Sequence, residues 1–420
     1  MSIFSSADIL IPKNTDLSKW SVVACDQYSS EPEYWEKAKE IAGPSPSTLN
    51  IIYPEAYLNE LEGNKRIEAI NKTMEQYLKD GVFKTYPDSL IYIERTQKNG
   101  KVRKGIVGCI DLEAYDFSVG SKSPVRATEG TIISRIPPRQ RIRRDAPLEL
   151  PHIIMLADDR RKEIIEPLSL KIDSFEKVYD FELMQGGGHI RGWLIDIAEK
   201  QRVLDAVKKL GNKEEFEAKY GVSGENPLAI AVGDGNHSLA TAKSCWEEIK
   251  KTLSPEGQRK HPARYALAEL ENIHDEALEF EPIHRVIFNV NPQSVKEALL
   301  KFYPQACETD NGGQKIVITH QGVESAVYIK DAPTNLAVGT FQKFADEYLK
   351  NSDGEIDYIH GADVVRALTA ADNTIGFIFD GMEKNDLFTT VIKDGALPRK
   401  TFSMGEAYDK RFYLEAKKIR

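Results

Sequence analysis

The sequence predicts an α/β fold, with mixed sheets flanked by helices. Three observations carry that reading. Short β-rich runs such as "SLIYIERTQ" and "RKGIVGCIDLEAYDF" alternate with amphipathic stretches such as "AEKQRVLDAVKKLG" along the 420 residues. The composition, 41% hydrophobic and 29% charged, suits a globular chain with a packed core. In "LAIAVGDGNHSLATAKSCWEEIKK" (228–251), an apolar run passes directly into a helical pattern through Asp-Gly-Asn-His-Ser.

The elements follow in order. "WSVVACDQYSS" holds a short β-branched run, Val22 to Cys25. "EPEYWEKAKEIAG" reads as a helix, with Pro32 in its first turn and Gly43 as its stop. "PEAYLNELEGNKRIEAINKTMEQYLKDG" carries apolar residues at helical spacing up to Gly81. The next segment is rich in arginine, and Pro137 and Pro138 are expected to break its regular structure. "HIIMLADD" predicts a strand ending in two aspartates. "FEKVYDFEL" and "IRGWLIDI" are weaker strand candidates around the glycine-rich "MQGGGHI". Two amphipathic helices precede the Asp-Gly-Asn-His-Ser stretch, and a long helix to about Leu253 follows it. "RYALAELENIHDEALEFEPIHRVIFNV" predicts two strands around an acidic loop. Beyond Pro292 come a helix, two strands, and a strand–helix–strand run. These patterns suggest an N-terminal α/β domain at 1–120, a central domain at 121–290 and a C-terminal α+β domain at 291–420.

Composition narrows the function classes. Lys and Arg total 56 against 65 acids, a net charge of −9. Nucleic-acid binding by charge alone is therefore disfavoured. No apolar run approaches a membrane span, and the start lacks a signal-peptide pattern, so a cytoplasmic protein is expected. The four cysteines are widely spaced, without a CxxC pair, and read as reduced, small, buried hydrophobes.

The central motif carries the most chemistry. A helix beginning after Gly235 turns free N–H groups and a partial positive charge toward Gly235 and Asn236, which favours a phosphate or carboxylate. Asp234 suits a metal contact or proton acceptance, His237 a phosphate contact or a proton shuttle, and Ser238 a helix cap. No protein metal cluster is expected. Arg126, Arg135, Arg139, Arg141, Arg143 and Arg144 crowd into 19 residues, a density that suits polyphosphate as well as surface ion pairs. Thr128 and Glu129 lie in that segment, with Glu129 an alternative base. His284 and Arg285 precede an apolar run, and Lys400 sits in a basic loop, "LPRKTF". "MQGGGHI", with His189, is either an anion wrap or a hairpin tip. P-loop, dinucleotide, zincin and hydrolase-elbow motifs are absent.

The motifs "VVACDQYSSEPEYW", "GIVGCIDLEAYDF", "RATEGT", "VGDGNHSLATAK", "PIHRVIF" and "LPRKTFSMGEAYDKRF" together resemble the bacterial and archaeal family known as domain of unknown function 1015. Relatives often carry Asp-Gly-His-His-Arg; here Asn236 and Ser238 replace the central histidine and the arginine. Replacing Ser238 by arginine is therefore expected to be tolerated. The motif also resembles the nucleotide site of the ParB-type and sulfiredoxin superfamily, which includes kinases of free serine. That resemblance implies a ParB-like strand–turn–helix site in the central part, ATP (or ADP) and Mg²⁺ as cofactors, and a small hydroxylated acceptor, with free L-serine the first choice. The expected partners are a small-molecule substrate and a nucleotide, with a homodimer left open. The rival readings are a nucleotide- or anion-binding regulator without turnover and a nucleic-acid-associated protein.

Overall fold

The computed structural model describes residues 2–58 and 63–420. It is a mixed α/β protein with mixed sheets and flanking helices. Its contacts divide it into two compact units. The first comprises Met1–Ala127, Thr131–Leu278 and Gly405–Arg420. The second comprises Thr128–Gly130 and Glu279–Met404.

The first unit is built on a ten-stranded sheet. Its main strands are β1 (Ile91–Thr96), β2 (Val102–Asp111), β3 (Ile154–Ala157), β4 (Glu176–Glu182), β5 (His189–Leu194), β6 (Ile230–Asp234) and β7 (Tyr265–Asn272). They lie in the order β4-β5-β1-β2-β7-β3-β6, and β6 is followed by the short strands Val125–Arg126 and Tyr115–Asp116. Strands from both the 1–120 and the 121–290 stretches share this sheet. The pairing of β7 with β3 is parallel and that of β6 with β3 antiparallel.

The helices of this unit are α1 (Pro32–Ala42), α2 (Gly63–Lys79), α3 (Ile136–Arg144), α4 (Ile197–Lys209), α5 (Lys213–Tyr220) and α6 (Asn236–Ile249). In the run predicted before Gly81, α2 is helical, Glu55–Tyr57 is a 3₁₀ turn, and residues 59–62 lie outside the described residues. Leu239, Ala242 and Trp246 of α6 are buried in the same apolar cluster as Met155 of β3 and Val232 of β6. One apolar stripe thus fixes the helix on the sheet.

Two sequence expectations are corrected. Val22 to Cys25 forms no strand; Val23 makes only an isolated bridge to Phe412, because neighbouring backbone groups bond individually to the C-terminal segment. Pro137 and Pro138 do not break structure either. They occupy the first turn of α3, where the missing N–H has no intrahelical partner to lose.

The second unit has a seven-stranded sheet. Its longer strands are β8 (Phe280–Phe288), β9 (Gln314–His320), β10 (Val323–Ile329), β11 (Glu355–His360) and β12 (Thr374–Ile378), ordered β10-β9-β12-β8-β11. Its helices are α7 (Pro292–Phe302), α8 (Ala337–Tyr348), α9 (Ala362–Leu368) and α10 (Lys384–Asp394). Phe341 and Phe344 of α8 sit in its core with Phe377 of β12. Among the described residues, no helix is long and apolar enough to cross a membrane.

Candidate functional site

In the first unit, β6 ends in a bulge between Val232 and Asp234, and the chain turns at Gly235 into α6. Gly235 has φ of 82°, and a Cβ there would lie 3.1 Å from the Cα of Ile153. Backbone angle and packing both call for glycine. The close approach brings His152, the neighbour of Ile153, to the first turn of α6.

Around this turn the structure gathers residues from four distant parts of the chain. The His152 ring places Nδ1 2.7 Å from the Tyr413 hydroxyl and Nε2 3.2 Å from Ser238 Oγ. The same Nε2 lies 3.6 Å from Asp26 Oδ2. Burial lowers the His152 pKa, but the Asp26 carboxylate outweighs burial and raises it above the ordinary value. The Asp26 carboxyl is held far below its usual range: burial works against this, and His152 prevails. The Tyr413 hydroxyl also accepts the Cys25 N–H at 3.3 Å. Cys25 itself is pushed up to about 12, chiefly by burial, and is inert as a nucleophile.

Ser238, His152 and Asp26 do not form a hydrolytic triad. The serine and the carboxylate address the same ring nitrogen, whereas a triad needs them on opposite nitrogens. Nor does Ser238 cap α6. The cap position is Gly235, and the serine hydroxyl, two residues into the helix, turns to His152.

Asp234 Oδ1 accepts the Gly235 N–H at 2.9 Å, and Oδ2 lies 3.5 Å from Lys410 Nζ. One backbone donor at this turn is thus engaged by the protein's own carboxylate. Asn236, His237 and Ser238 of the first helical turn are only partly buried, so the turn remains open to solvent. His237 Nε2 accepts the Ile132 N–H at 3.3 Å. Burial first, then Arg139 and Arg135, holds its pKa down at about 4. The imidazole is neutral at pH 7 and has Nδ1–H to offer, which suits a hydrogen bond to an anion better than proton shuttling.

A cavity of about 150 Å³ adjoins the helix. Ser238, Thr241, His152 and Tyr413 line it, with Arg139 and Arg143 of α3 and an apolar wall that includes Ile51 and Met74. Arg139 pairs with Glu55 and Arg143 with Glu149.

The C-terminal segment delivers Lys410 and Tyr413. Buried Arg95 donates to the carbonyls of Gly187 at 2.8 Å and Asp409 at 3.0 Å, and to those of Tyr408 and Lys410. Arg411 pairs with Glu415 at 2.7 Å and Glu269 at 3.1 Å.

Other predicted residues lie elsewhere. Arg126 is buried, donating to the carbonyls of Ser123 and Asn226 at 2.7 and 2.8 Å, so its guanidinium serves the backbone. Arg144 is exposed, 3.8 Å from Glu248. His189 sits on the β4–β5 hairpin tip between Asp180 and Glu182, an acidic setting that repels anions.

The second unit holds Thr128, Glu129, His284, Arg285 and Lys400. Arg285 is fully buried and donates to the carbonyls of Lys400 and Arg399 at 3.0 and 2.9 Å. It fixes the 397–401 loop and feels the charge of Glu129. Lys400 Nζ lies 5.2 Å from the Tyr358 ring centre. Thr128 is buried, and its carbonyl accepts the Leu397 N–H at 2.7 Å. His284 Nδ1 accepts the Phe379 N–H at 3.3 Å, and burial, followed by Arg285, holds its pKa down at about 4.

Sequence reasoning missed Asp26, His152, Lys410 and Tyr413. Their signals were faint: an aspartate closing an apolar run, and a histidine just before one.

Comparison with known proteins places the chain in a family. The model of the family described as protein of unknown function, DUF1015, matches residues 8–372. A search of curated proteins returns no match. A free serine kinase in complex with AMP is similar at 11% identity and a TM-score of 0.39, covering 76% of this chain and 93% of that one. SbnI with a C-terminal truncation, from Staphylococcus aureus, is similar at 9% identity and a TM-score of 0.36, covering 73% and 82%. A conserved hypothetical protein from Pyrococcus furiosus is similar at 11% identity and a TM-score of 0.35, covering 75% and 92%.

Proposed function

The chain belongs to the DUF1015 family, and from that premise we propose that it is a nucleotide-dependent kinase of a small hydroxylated metabolite, with a ParB-like strand–turn–helix site at β6–α6. Free L-serine is the first acceptor to test, because the Asp-Gly-x-His motif resembles that of serine kinases. The observation that carries the reading is the open first turn of α6 beside a small cavity, with Lys410 beside Asp234 at the turn and Arg139 on the cavity wall.

The two spaces suit different partners. A volume of about 150 Å³ is below the roughly 300–1,000 Å³ of common ligand pockets. It suits an acceptor of a few heavy atoms, so the nucleotide lies outside it. The α6 amides and His237 Nδ1–H hold phosphate oxygens, and Lys410 balances charge. Such transfer depends on alignment and neutralisation more than on covalent help.

In the transfer, the acceptor oxygen forms a bond to the terminal phosphorus of the donor. The bond from that phosphorus to the bridging oxygen breaks, and the shortened nucleotide leaves. Asp234 takes the acceptor proton. Asp26 is too strongly held by His152 to serve as that base. Among the described residues no group of three metal-ligating side chains exists, so the protein would contribute few ligands to a Mg²⁺ that arrives with the nucleotide. When bound, it would neutralise developing phosphate charge.

The test is incubation of the purified protein with Mg²⁺, ATP or ADP, and a panel of amino alcohols including L-serine, with products read by ³¹P NMR. A new phosphomonoester signal, lost in Asp234→Asn, is expected. Glu129→Gln run alongside decides between the two carboxylates. Nucleotide binding without product from any acceptor would favour the regulator instead.

A further inference from the structure

The first unit holds a second, larger cleft of about 740 Å³ that shares no lining residue with the cavity beside α6. Its volume falls within the range of small-molecule and cofactor sites. Its walls include Ser6, Arg259, Arg264, Tyr265, Lys417 and Lys418.

The charges on these walls do not cancel. Asp111 takes the Arg264 fork at 2.6 and 2.8 Å. Asp88 is engaged by Lys200 at 2.6 Å and by the Ser6 hydroxyl. Lys417 is buried, donates to the Pro262 carbonyl at 2.8 Å and lies 3.5 Å from Glu149. Arg420 stands 3.4 Å from Asp145. Asp8 is the carboxylate left over, and it accepts the Asp88 N–H at 2.9 Å. Arg259 and Lys418 are exposed and make no ion pair among the described residues. Two exposed cations and the single carboxylate of Asp8 are therefore left facing a cleft in a chain of net charge −9. Tyr265 adds a flat ring to the same wall, with the Arg264 guanidinium 5.4 Å from its centre.

We infer that this cleft binds a small phosphorylated metabolite, its phosphate held by Arg259 and Lys418 and its apolar part against Tyr265. The inference is independent of the kinase reading, because no residue of the α6 site takes part. A fork and a flexible ammonium together match a phosphate group.

The probe is sodium tripolyphosphate on the full chain, and the readout is lysine acetylation mapped by mass spectrometry. Lys418 should be labelled at least about fivefold more slowly with the probe than without it. Sulfate at equal ionic strength should protect it far less. In calorimetry, Arg259→Glu with Lys418→Glu should weaken tripolyphosphate binding at this site by about tenfold or more, or about 1.4 kcal/mol. Both residues are exposed, so the melting temperature should hold; were it to fall, labelling of the parent chain decides alone. Equal labelling with and without probe, equal protection by sulfate, or unchanged binding by a folded double variant would overturn the inference.

Discussion

The imidazole of His152 and the hydroxyl of Tyr413 meet at 2.7 Å, although 261 residues separate them in sequence. Through this contact the last segment of the chain completes a site whose helix begins at Asn236. The same segment brings Lys410 to within 3.5 Å of Asp234. The candidate site is therefore assembled by tertiary packing around one local motif.

Tyr413→Phe tests this contact. The hydroxyl joins the Cys25 N–H to His152, and its loss leaves buried polar groups without a partner. A loss of about 1–3 kcal/mol is expected in urea unfolding. An unchanged midpoint would show that the contact adds no stability.

Arg95→Met tests the anchoring of the C-terminal segment. The side chain is buried and serves four backbone carbonyls. Leaving those acceptors unpaired is expected to cost several kcal/mol, about 1–3 for each carbonyl that water does not reach. Hydrogen exchange should rise first at residues 408–413. Exchange unchanged there would contradict the anchoring role.

Ser238→Arg, which the motif of the relatives makes tolerable, is predicted by the structure to be harmful. The hydroxyl is 3.2 Å from His152 and lines the small cavity. An arginine there sets a second cation beside an imidazole already inclined to protonate, and it overfills the space. A cost of about 1–3 kcal/mol is expected, together with loss of small-acceptor binding. Melting curves and calorimetry with L-serine check it; a stable, acceptor-binding variant would restore the sequence expectation.

Stability is predicted to fall as pH drops from about 6.5 toward 4. His237 and His284 have pKa values of about 4 when folded, against 6.5 for an unperturbed imidazole. In that window the unfolded chain binds more protons, so acid favours unfolding. The raised pKa of His152 acts in reverse: its contribution is complete below about 6.5 and is lost as pH rises through the folded value. Urea midpoints across pH 4.5 to 7.5 should therefore climb with pH on the acid side. His237→Gln should flatten the climb, and an unchanged slope would contradict the assignment.

Much of the fold was legible because it rests on local periodicity. The strands at 91–96, 102–111 and 265–272 and the helices at 32–42 and 236–249 follow apolar patterns and glycine stops visible in the chain. The helices at 337–348 and 384–394 were not read. Buried polar residues such as Thr340, Gln342 and Thr390 blur their apolar faces. The site was half legible. Asp234 to Ser238 form a contiguous motif with its own chemistry. Asp26, His152, Lys410 and Tyr413 gain meaning only when the sheet and the C-terminal segment bring them together. Two arginines misled, Arg126 of the arginine-rich segment and Arg285 of the second unit, because both spend their guanidinium groups on backbone carbonyls, a use that sequence cannot distinguish from phosphate binding.

The most direct test of the central claim is a crystal of the protein soaked with a non-hydrolysable ATP analogue and Mg²⁺. Difference density for the phosphate groups is predicted within hydrogen-bonding distance of the backbone amides of residues 236–238 and of His237 Nδ1. Phosphates bound anywhere else, with the first turn of α6 left to water, would contradict it.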